Sequence, residues 1–363
     1  MAKQDGHPTR LDGMETNPST PSATETAADK SRRRTPFRSR FDILAVLPAL
    51  LVVFGLVAAV ATPSSGPLAL ALVFEPHLFI VGLVALTPLA VLGRARTLAL
   101  TLVVTLVCGG FLFGSEWISL PGSGAGRHDI SVMTWNVQYG TRTPAEQTAQ
   151  LDGVTTDLIA LQEVEPDAAA AIEADATLTG RYPYRAMRPL TGAFGLAVLS
   201  RYPIEVVDST EQPAVLELVV TTNRGSIRLI NAHPRPPDMD TITPLRLPVG
   251  YNPARRDASI ATIRSHIDAA LAAGDRLLVL GDYNTSPREA EYAVLTAGLR
   301  DTQVQVGQGP GWTWRPSRLT FLHVGFLRID MQLTAGAISA ASTSIDCSLP
   351  GDHCRLLADY EID

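Results

Sequence analysis

The pattern of apolar and polar positions divides the chain into three parts of different character. Residues 1–40 hold almost no large apolar side chain and are rich in Ser, Thr, Pro, Ala and charge. Such a stretch cannot bury enough surface to fold, and a disordered tail is the expectation. From Ile43 to Phe113 the pattern inverts. Ile43–Ala61 is nearly all apolar, and its 19 residues would reach about 28 Å as a helix, close to the thickness of a bilayer core. Leu68–Leu92 is a second apolar stretch, interrupted at Glu75-Pro76-His77, and Leu98–Phe113 is a third. Three transmembrane helices within residues 41–116 are therefore expected. Glu75 and His77 read as an interfacial break in the second one rather than as a site. Residues 117–127 read as a Gly/Ser/Pro linker.

Beyond Asp129 short apolar runs alternate with amphipathic stretches. Ile130–Trp135, Asp157–Leu161, Gly195–Leu199, Ala214–Val220, Ile227–Asn231, Leu277–Leu280, Ile329–Leu333 and Leu356–Ile362 read as strands. Pro144–Leu151, Pro166–Ala174, Asn252–Leu271 and Pro287–Ala297 read as helices. The third of these carries Ile260, Ile263, Ile267 and Leu271 at helical spacing. Strands that follow one another as hairpins, mixed with crossover helices, predict an α/β (α+β) sandwich. No repeat of 20–50 residues is visible.

Charge gives the apolar third an orientation. The tail carries eight Lys/Arg against five Asp/Glu and ends in the basic cluster Lys30, Arg32, Arg33, Arg34, Arg38 and Arg40. Arg94 and Arg96 lie between the second and third apolar stretches. Basic residues stay on the cytoplasmic side. Three crossings then put the tail inside and everything after Trp117 outside the cytoplasm, in a multi-pass plasma-membrane protein. Two crossings would put the domain inside but strand one basic cluster on the wrong face. Residues 127–363 hold 20 Arg, no Lys and 28 Asp/Glu. A domain this acidic is not built for unspecific grip on a polyanion. It can still cleave phosphoesters if bound metal supplies the positive charge. Cys347 and Cys354 bracket a short loop and would form a disulfide on an oxidising side; two free thiols are the alternative.

The chemistry-bearing residues sit where apolar runs end. Leu277–Leu280 is followed by Gly281-Asp282-Tyr283-Asn284, so Asp282 and Asn284 should project to one side past the carboxyl edge of a sheet. Asn136, Glu163, His233, Asp330, Asp352 and His353 end or flank comparable runs. If these ends gather at one edge, their carboxylates repel one another unless a cation is present. Oxygen donors without cysteine suit Mg²⁺ or Mn²⁺ better than zinc. A hard metal, a base for water and two imidazoles fit metal-assisted phosphoester hydrolysis.

The runs TWNVQYG, DLIALQEV, GLAVLSRYPI, INAHPRPP, LVLGDYNTSP, RIDMQL and GDHCRLLADYEI carry a resemblance to the endonuclease/exonuclease/phosphatase superfamily, in that family's order and over about residues 128–363. The resemblance implies a four-layer DNase I-like β-sandwich flanked by helices. By it, Glu163 resembles the metal-binding glutamate, with Asn136 beside it and Asp352 a second metal-side carboxylate. Asp282 resembles the residue that positions the attacking water, and Asn284 its phosphate-holding partner. His353 resembles the histidine that stabilises the phosphorane-like charge, oriented by Asp330. His233 resembles the one that assists leaving-group departure. Gln138, Gly351 and Arg355 depart from the family's usual aspartate, serine and proline. Trp312 and Trp314, in a glycine-rich loop, either stack a substrate base or sugar or cap the sandwich; Trp314 joins Asn284 as a substrate-binding candidate.

The resulting expectation is a membrane-anchored, divalent-metal phosphoesterase acting outside the cytoplasm. Its substrate would be a nucleic acid, a phospholipid head group or a small phosphate ester, with no obligate protein partner inferred. A non-catalytic membrane receptor or scaffold that retains the fold is the alternative.

Overall fold

The computed structural model describes residue 50 and residues 53–84, 95–117, 128–242 and 247–363. Fourteen strands follow one another among these residues. They are β1 (Ile130–Asn136), β2 (Leu158–Gln162), β3 (Tyr184–Arg188), β4 (Leu196–Ser200), β5 (Ile204–Glu211), β6 (Ala214–Thr222) and β7 (Gly225–His233). The rest are β8 (Asp238–Ile242), β9 (Leu247–Asn252), β10 (Leu277–Asp282), β11 (Arg300–Asp301), β12 (Asp330–Ala335), β13 (Ile338–Asp346) and β14 (Arg355–Ile362). One six-stranded sheet has the order β13-β14-β1-β2-β4-β3, the other β11-β12-β10-β7-β6-β5, and β8-β9 is a separate hairpin.

Pairing direction brings the predicted strand ends together. β1 and β2 are parallel, so Asn136 and Gln162 finish side by side; β7 and β10 are parallel and finish likewise. β12 runs antiparallel to β10, with Asp330 opposite Asp282. β14 runs antiparallel to β1, with Leu356 opposite Thr134. The ends of β1, β2, β7 and β10 and the beginnings of β12 and β14 thus share one rim.

Two-sided burial explains why these strands show no alternation of polarity. In β10, Leu278 and Leu280 face the core between the sheets, while Leu277 and Val279 face the helix Ala254–Ala273. Ile260, Ile263, Ile267 and Ala270 of that helix fill the outer layer. Across the molecule, Met133, Trp135, Ile159 and Leu161 face Leu151, Ala168 and Ile172 of the helices Pro144–Asp152 and Pro166–Ala174. The four layers agree with the expected sandwich. Each fully buried Leu or Ile contributes roughly 1.5–3 kcal/mol. β3, β5, β8, β9, β11 and β13 were not expected. None of the eight β5 positions is buried, so no buried run marks that strand.

The apolar third departs in part from expectation. Among the described residues no single helix is long and apolar enough to cross a membrane; only the pair Val53–Ala61 and Gly66–Val73, bent by 110°, passes together on length and composition. The second apolar stretch, expected to span from Pro67 or only from about Leu78, divides into the helices Gly66–Val73 and Glu75–Val84. Ala69, Leu70 and Val73 pack on Tyr251, Leu327 and Ile329 of the sandwich. Glu75 is buried with its Oε2 3.9 Å from Arg288 Nη1, and the His77 ring stacks on Trp312 at 4.7 Å. The interruption thus makes a contact with the sandwich. The helix Ala95–Trp117 follows. Parts of the first two predicted spans, and the whole of the tail, lie outside the described residues.

Gly281 is required by the rim itself. Its φ is +142°, and a Cβ there would lie 2.0 Å from the Ala232 carbonyl oxygen of β7. Gly281→Ala is expected to lower the free energy of unfolding by at least about 2 kcal/mol, read from urea denaturation. Gly153→Ala, where a Cβ meets nothing within 4 Å, should stay within about 0.5 kcal/mol of wild type. Equal stability of the two variants would remove the close approach as the reason for Gly281.

Candidate active site

Asp282 is the hub of the rim. Its Oδ2 accepts from Asn136 Nδ2 at 3.0 Å and lies 3.4 Å from His233 Nε2 and 3.5 Å from His353 Nε2. Its Oδ1 accepts the Asn284 backbone N–H at 2.9 Å. Asn136 also donates to Glu163 Oε1 at 2.8 Å. Glu163 Oε2 accepts the Tyr139 backbone N–H at 3.0 Å. Asn284 Nδ2 lies 3.2 Å from His233 Nε2. Asp330 Oδ2 is 2.9 Å from His353 Nδ1. The predicted residues Asn136, Glu163, His233, Asp282, Asn284, Asp330 and His353 therefore form one connected cluster. Asn136 departs in detail: its amide nitrogen faces the carboxylates and its Oδ1 accepts the Gln138 N–H at 2.9 Å. It serves the acids as a donor. Trp314 also departs. Its ring packs into the apolar cluster with Leu70, Val73 and Leu327, while its backbone bridges to His353. Capping, not an open stacking face, is what this placement gives.

Local backbone conformation aims several of these groups. Gln138, Glu163 and Asn284 have φ of +59°, +62° and +50°, in the left-handed region that non-glycine residues rarely adopt. Each lies just past a strand end, where the turn swings its side chain or its neighbour into the rim. Such strain of about 1–3 kcal/mol persists only where surroundings over-determine it.

Electrostatics separate the roles. Burial raises the Asp282 carboxyl, but the His353 and His233 imidazoles and the Asn136 amide outweigh it and bring it down to about 2. Burial lowers the His353 imidazole, yet the Asp330 and Asp282 charges outweigh that and push it up to about 10. His233 is likewise raised against its burial, by the hydrogen bond and charge of Asp282 and by Glu163. Burial raises Asp352. Glu163, His233 and Asp282 present ligand atoms within 4.8 Å of one another, as do Asp282, Asp330 and His353. In the second group Asp330 and His353 already hold each other. Asp352 Oδ1 is buried without a hydrogen-bond partner. An orphaned carboxylate oxygen beside an oxygen-rich set that lacks thiolate fits a hard divalent cation.

Some functional groups left no mark in the sequence. Arg315 is fully buried and donates to three carbonyls of one loop: Gly351 at 2.9 Å, Cys347 at 2.9 Å, and Leu349. Its backbone N–H donates to Asp352 O at 2.8 Å, and Cys354 N–H donates to Thr313 O at 2.7 Å. Thr313 Oγ1 in turn accepts the Asp330 N–H at 3.1 Å. Residues 313–315 therefore splint Asp330 to the loop that carries Asp352 and His353. The Cys347–Cys354 disulfide closes the same loop. Two departures from the family pattern find a use here. Gln138 Oε1 accepts the Asp352 N–H at 3.3 Å. A Cβ at Gly351 would meet Arg142 Nη2 at 1.7 Å, so that guanidinium takes the space a serine would need. Beneath the rim, Gln162 Nε2 donates to Asn231 Oδ1 at 2.7 Å and so ties the two sheets.

A family model described as Endonuclease/Exonuclease/phosphatase family matches residues 133–353, well over half of the chain. No curated protein matches. Among solved structures, a 3′ phosphatase, NExo, from Neisseria bound to product DNA hairpin is 19% identical. It covers 64% of this chain and 99% of its own, with a TM-score of 0.48. Truncated TDP2 from Caenorhabditis elegans is 17% identical, over 64% of this chain and 97% of its own, at 0.47. Sphingomyelinase C from Streptomyces griseocarneus is 16% identical, over 63% and 98%, at 0.43.

The His353–Asp330 pair gives a pH test. The folded imidazole, at about 10, lies above its ordinary value near 6.5. The stability it contributes is complete below about pH 6.5 and is lost as pH rises through about 10. In chelator-treated protein, the His353 imidazole followed by NMR should stay protonated at neutral pH. Asp330→Asn should move its titration downward. Titration near 6.5 in both proteins would refute the coupling.

Proposed function

From the premise that the chain belongs to the Endonuclease/Exonuclease/phosphatase family and is a phosphoric ester hydrolase, we propose a Mg²⁺- or Mn²⁺-dependent phosphoesterase anchored to the membrane, its catalytic domain outside the cytoplasm. The observation that carries the catalytic reading is the convergence on Asp282 of Asn136, His233 and His353, from three other strand ends, within 3.5 Å. Glu163, oriented by Asn136, and Asp352 are the proposed metal carboxylates. A bound divalent cation would lower the pKa of a water and offset phosphate charge.

The chain's own residues supply the remainder. A carboxylate held at about 2 is a weak base, so Asp282 acts chiefly by orienting the water and accepting its hydrogen bond. Asn284 holds a phosphate oxygen with its amide. His353, kept protonated by Asp330, donates to the charge that develops on the phosphorane. His233, its Nδ1 fixed 2.8 Å from the Ala193 carbonyl, offers Nε2 to the departing oxygen.

Two features support the anchor and its orientation. Val57, Val60, Val103, Leu106 and Val107 of the N-terminal helices are exposed, and an apolar surface of this kind marks a membrane or protein contact. The Cys347–Cys354 disulfide suits an oxidising compartment.

Hydrolysis of bis(p-nitrophenyl) phosphate by the full chain should require Mg²⁺ or Mn²⁺, stop with EDTA and return on readdition. Asp282→Ala should lower kcat by at least about 10²-fold. A metal-independent rate, or equal rates for the variant and wild type, would defeat the catalytic reading. For topology, a cysteine engineered into residues 1–40 should resist an impermeant thiol reagent on intact cells, while one engineered on the sandwich surface reacts. The reverse labelling would overturn the orientation.

A further inference from the structure

Beside His233 the surface opens into a groove of about 600 Å³, lined among others by Gln212, Arg235, Arg255, Ser259 and Thr262. Chain neighbours of His233 form part of its wall. Pro213 on its wall precedes Ala214, the residue paired with His233 across β6 and β7. Arg235 follows His233 by two positions, and its guanidinium lies 5.1 Å from the centroid of the Phe194 ring. That ring is 6.4 Å from the His233 ring. Phe194 thus links His233 to Arg235 on the wall of this groove.

The groove is cationic in a domain that is otherwise acidic and lacks lysine. Arg235 is positioned by neutral partners, the Gln212 side-chain oxygen and the Phe194 ring face. Among the described residues it makes no ion pair with a carboxylate. Arg255 faces Asp238 at 3.9 Å, with both side chains more than half exposed; such a pair contributes little and yields readily to a stronger anion. Its neighbour Arg256 is committed elsewhere, buried against Glu289, Asp257 and Tyr251. Arg255 also stands in the first turn of the helix Ala254–Ala273, where the helix dipole favours negative charge. Two arginines, a cavity and a positive helix end thus meet on the His233 side of the rim. Guanidinium forks suit phosphate oxygens in particular.

We infer that this groove is a subsite for a second phosphate of the substrate, carried on the part of the molecule that departs past His233. The inference rests on the hydrolase reading and narrows its substrate class to phosphoesters with another phosphate near the scissile one. A neighbouring phosphate on a nucleotide chain and a phosphate on a sugar or polyol head group share this chemistry.

The test compares substrates in pairs that differ by one phosphate. One pair is a thymidine dinucleotide with and without a terminal phosphate, placed at either end. The other is glycerophosphoinositol with and without a 4-phosphate. The added phosphate should raise kcat/KM at least tenfold, mainly through KM, in one pair; the pair that responds identifies the source. In the variant Arg235→Gln/Arg255→Gln the ratio within that pair should fall towards one, with the thermal melt confirming that the variant is folded. A wild-type ratio near one in both pairs, while bis(p-nitrophenyl) phosphate is still hydrolysed, would overturn the subsite and leave the hydrolase reading standing. A ratio unchanged by the double substitution would overturn it as well. Failure of wild type to hydrolyse the bis-ester with either metal would instead remove the hydrolase reading, and the subsite with it.

Discussion

The buried charge of Asp282 is the constraint on which the rest of the rim depends. Taking a carboxylate out of water costs several kcal/mol unless cations and donors replace the lost hydration. Here two imidazoles, an amide and a backbone N–H do so, and each comes from a different strand end or turn. The compensation works only if β1, β7, β10 and the segments entering β12 and β14 end at one level. The topology that looks like the cause of the site is thus also held by it: a rim displaced by one residue would leave Asp282 unpaired. A divalent cation would relieve the remaining repulsion among Glu163, Asp282 and Asp352, which coupling of metal to fold leads one to expect.

The second requirement is rigidity between segments far apart in the chain. Asp330 and His353 are 23 residues apart, joined by a strand pair and a loop. A loop of that freedom would not hold an imidazole within 2.9 Å of a carboxylate. Arg315 removes the freedom. A guanidinium has donors in a fixed fork, so it can fasten three carbonyls of residues 347–351 at once. Lysine, a single point charge on a flexible stem, could not. The absence of lysine from the whole domain accords with a fold that uses its cations for geometry, as Arg256 and Arg328 also do in their buried pairs with Glu289 and Asp301.

How much of this was legible in the sequence follows from where the signal came from. Strands buried on both faces announce themselves as apolar runs, and their polar ends mark the rim; hence the convergence of Asn136, Glu163, His233, Asp282, Asn284, Asp330 and His353 was legible. Edge strands such as β5 and β13 were not, because exposed residues without alternation carry no periodicity to read. Arg315 was invisible for a different reason. Its partners are backbone carbonyls, which every sequence has, so no residue pattern can foretell the contact. That Asn136 turns its amide nitrogen to the carboxylates was not legible, since a sequence cannot say which face of an amide meets a carboxylate. Trp314 was read as a candidate for stacking because it lies in a glycine-rich loop; the apolar helix that covers it comes from some 245 residues earlier in the chain.

That last contact changes how the N-terminal third bears on the site. Ala69, Leu70 and Val73 lie against Leu327 and Trp314, and the Trp314 backbone bridges to His353. His77 stacks on Trp312 and Glu75 reaches Arg288. An anchor joined only through residues 117–127 would let the sandwich turn freely above its attachment. A helix packed on the loop beside His353 instead fixes which way the rim faces relative to the apolar helices. The apolar residues Ala69, Leu70 and Val73 of Gly66–Val73 form a seat for the catalytic domain. Polar Glu75 and His77 are then where they must be, at the join between an apolar helix and a polar rim, with a cation and an aromatic ring to meet them.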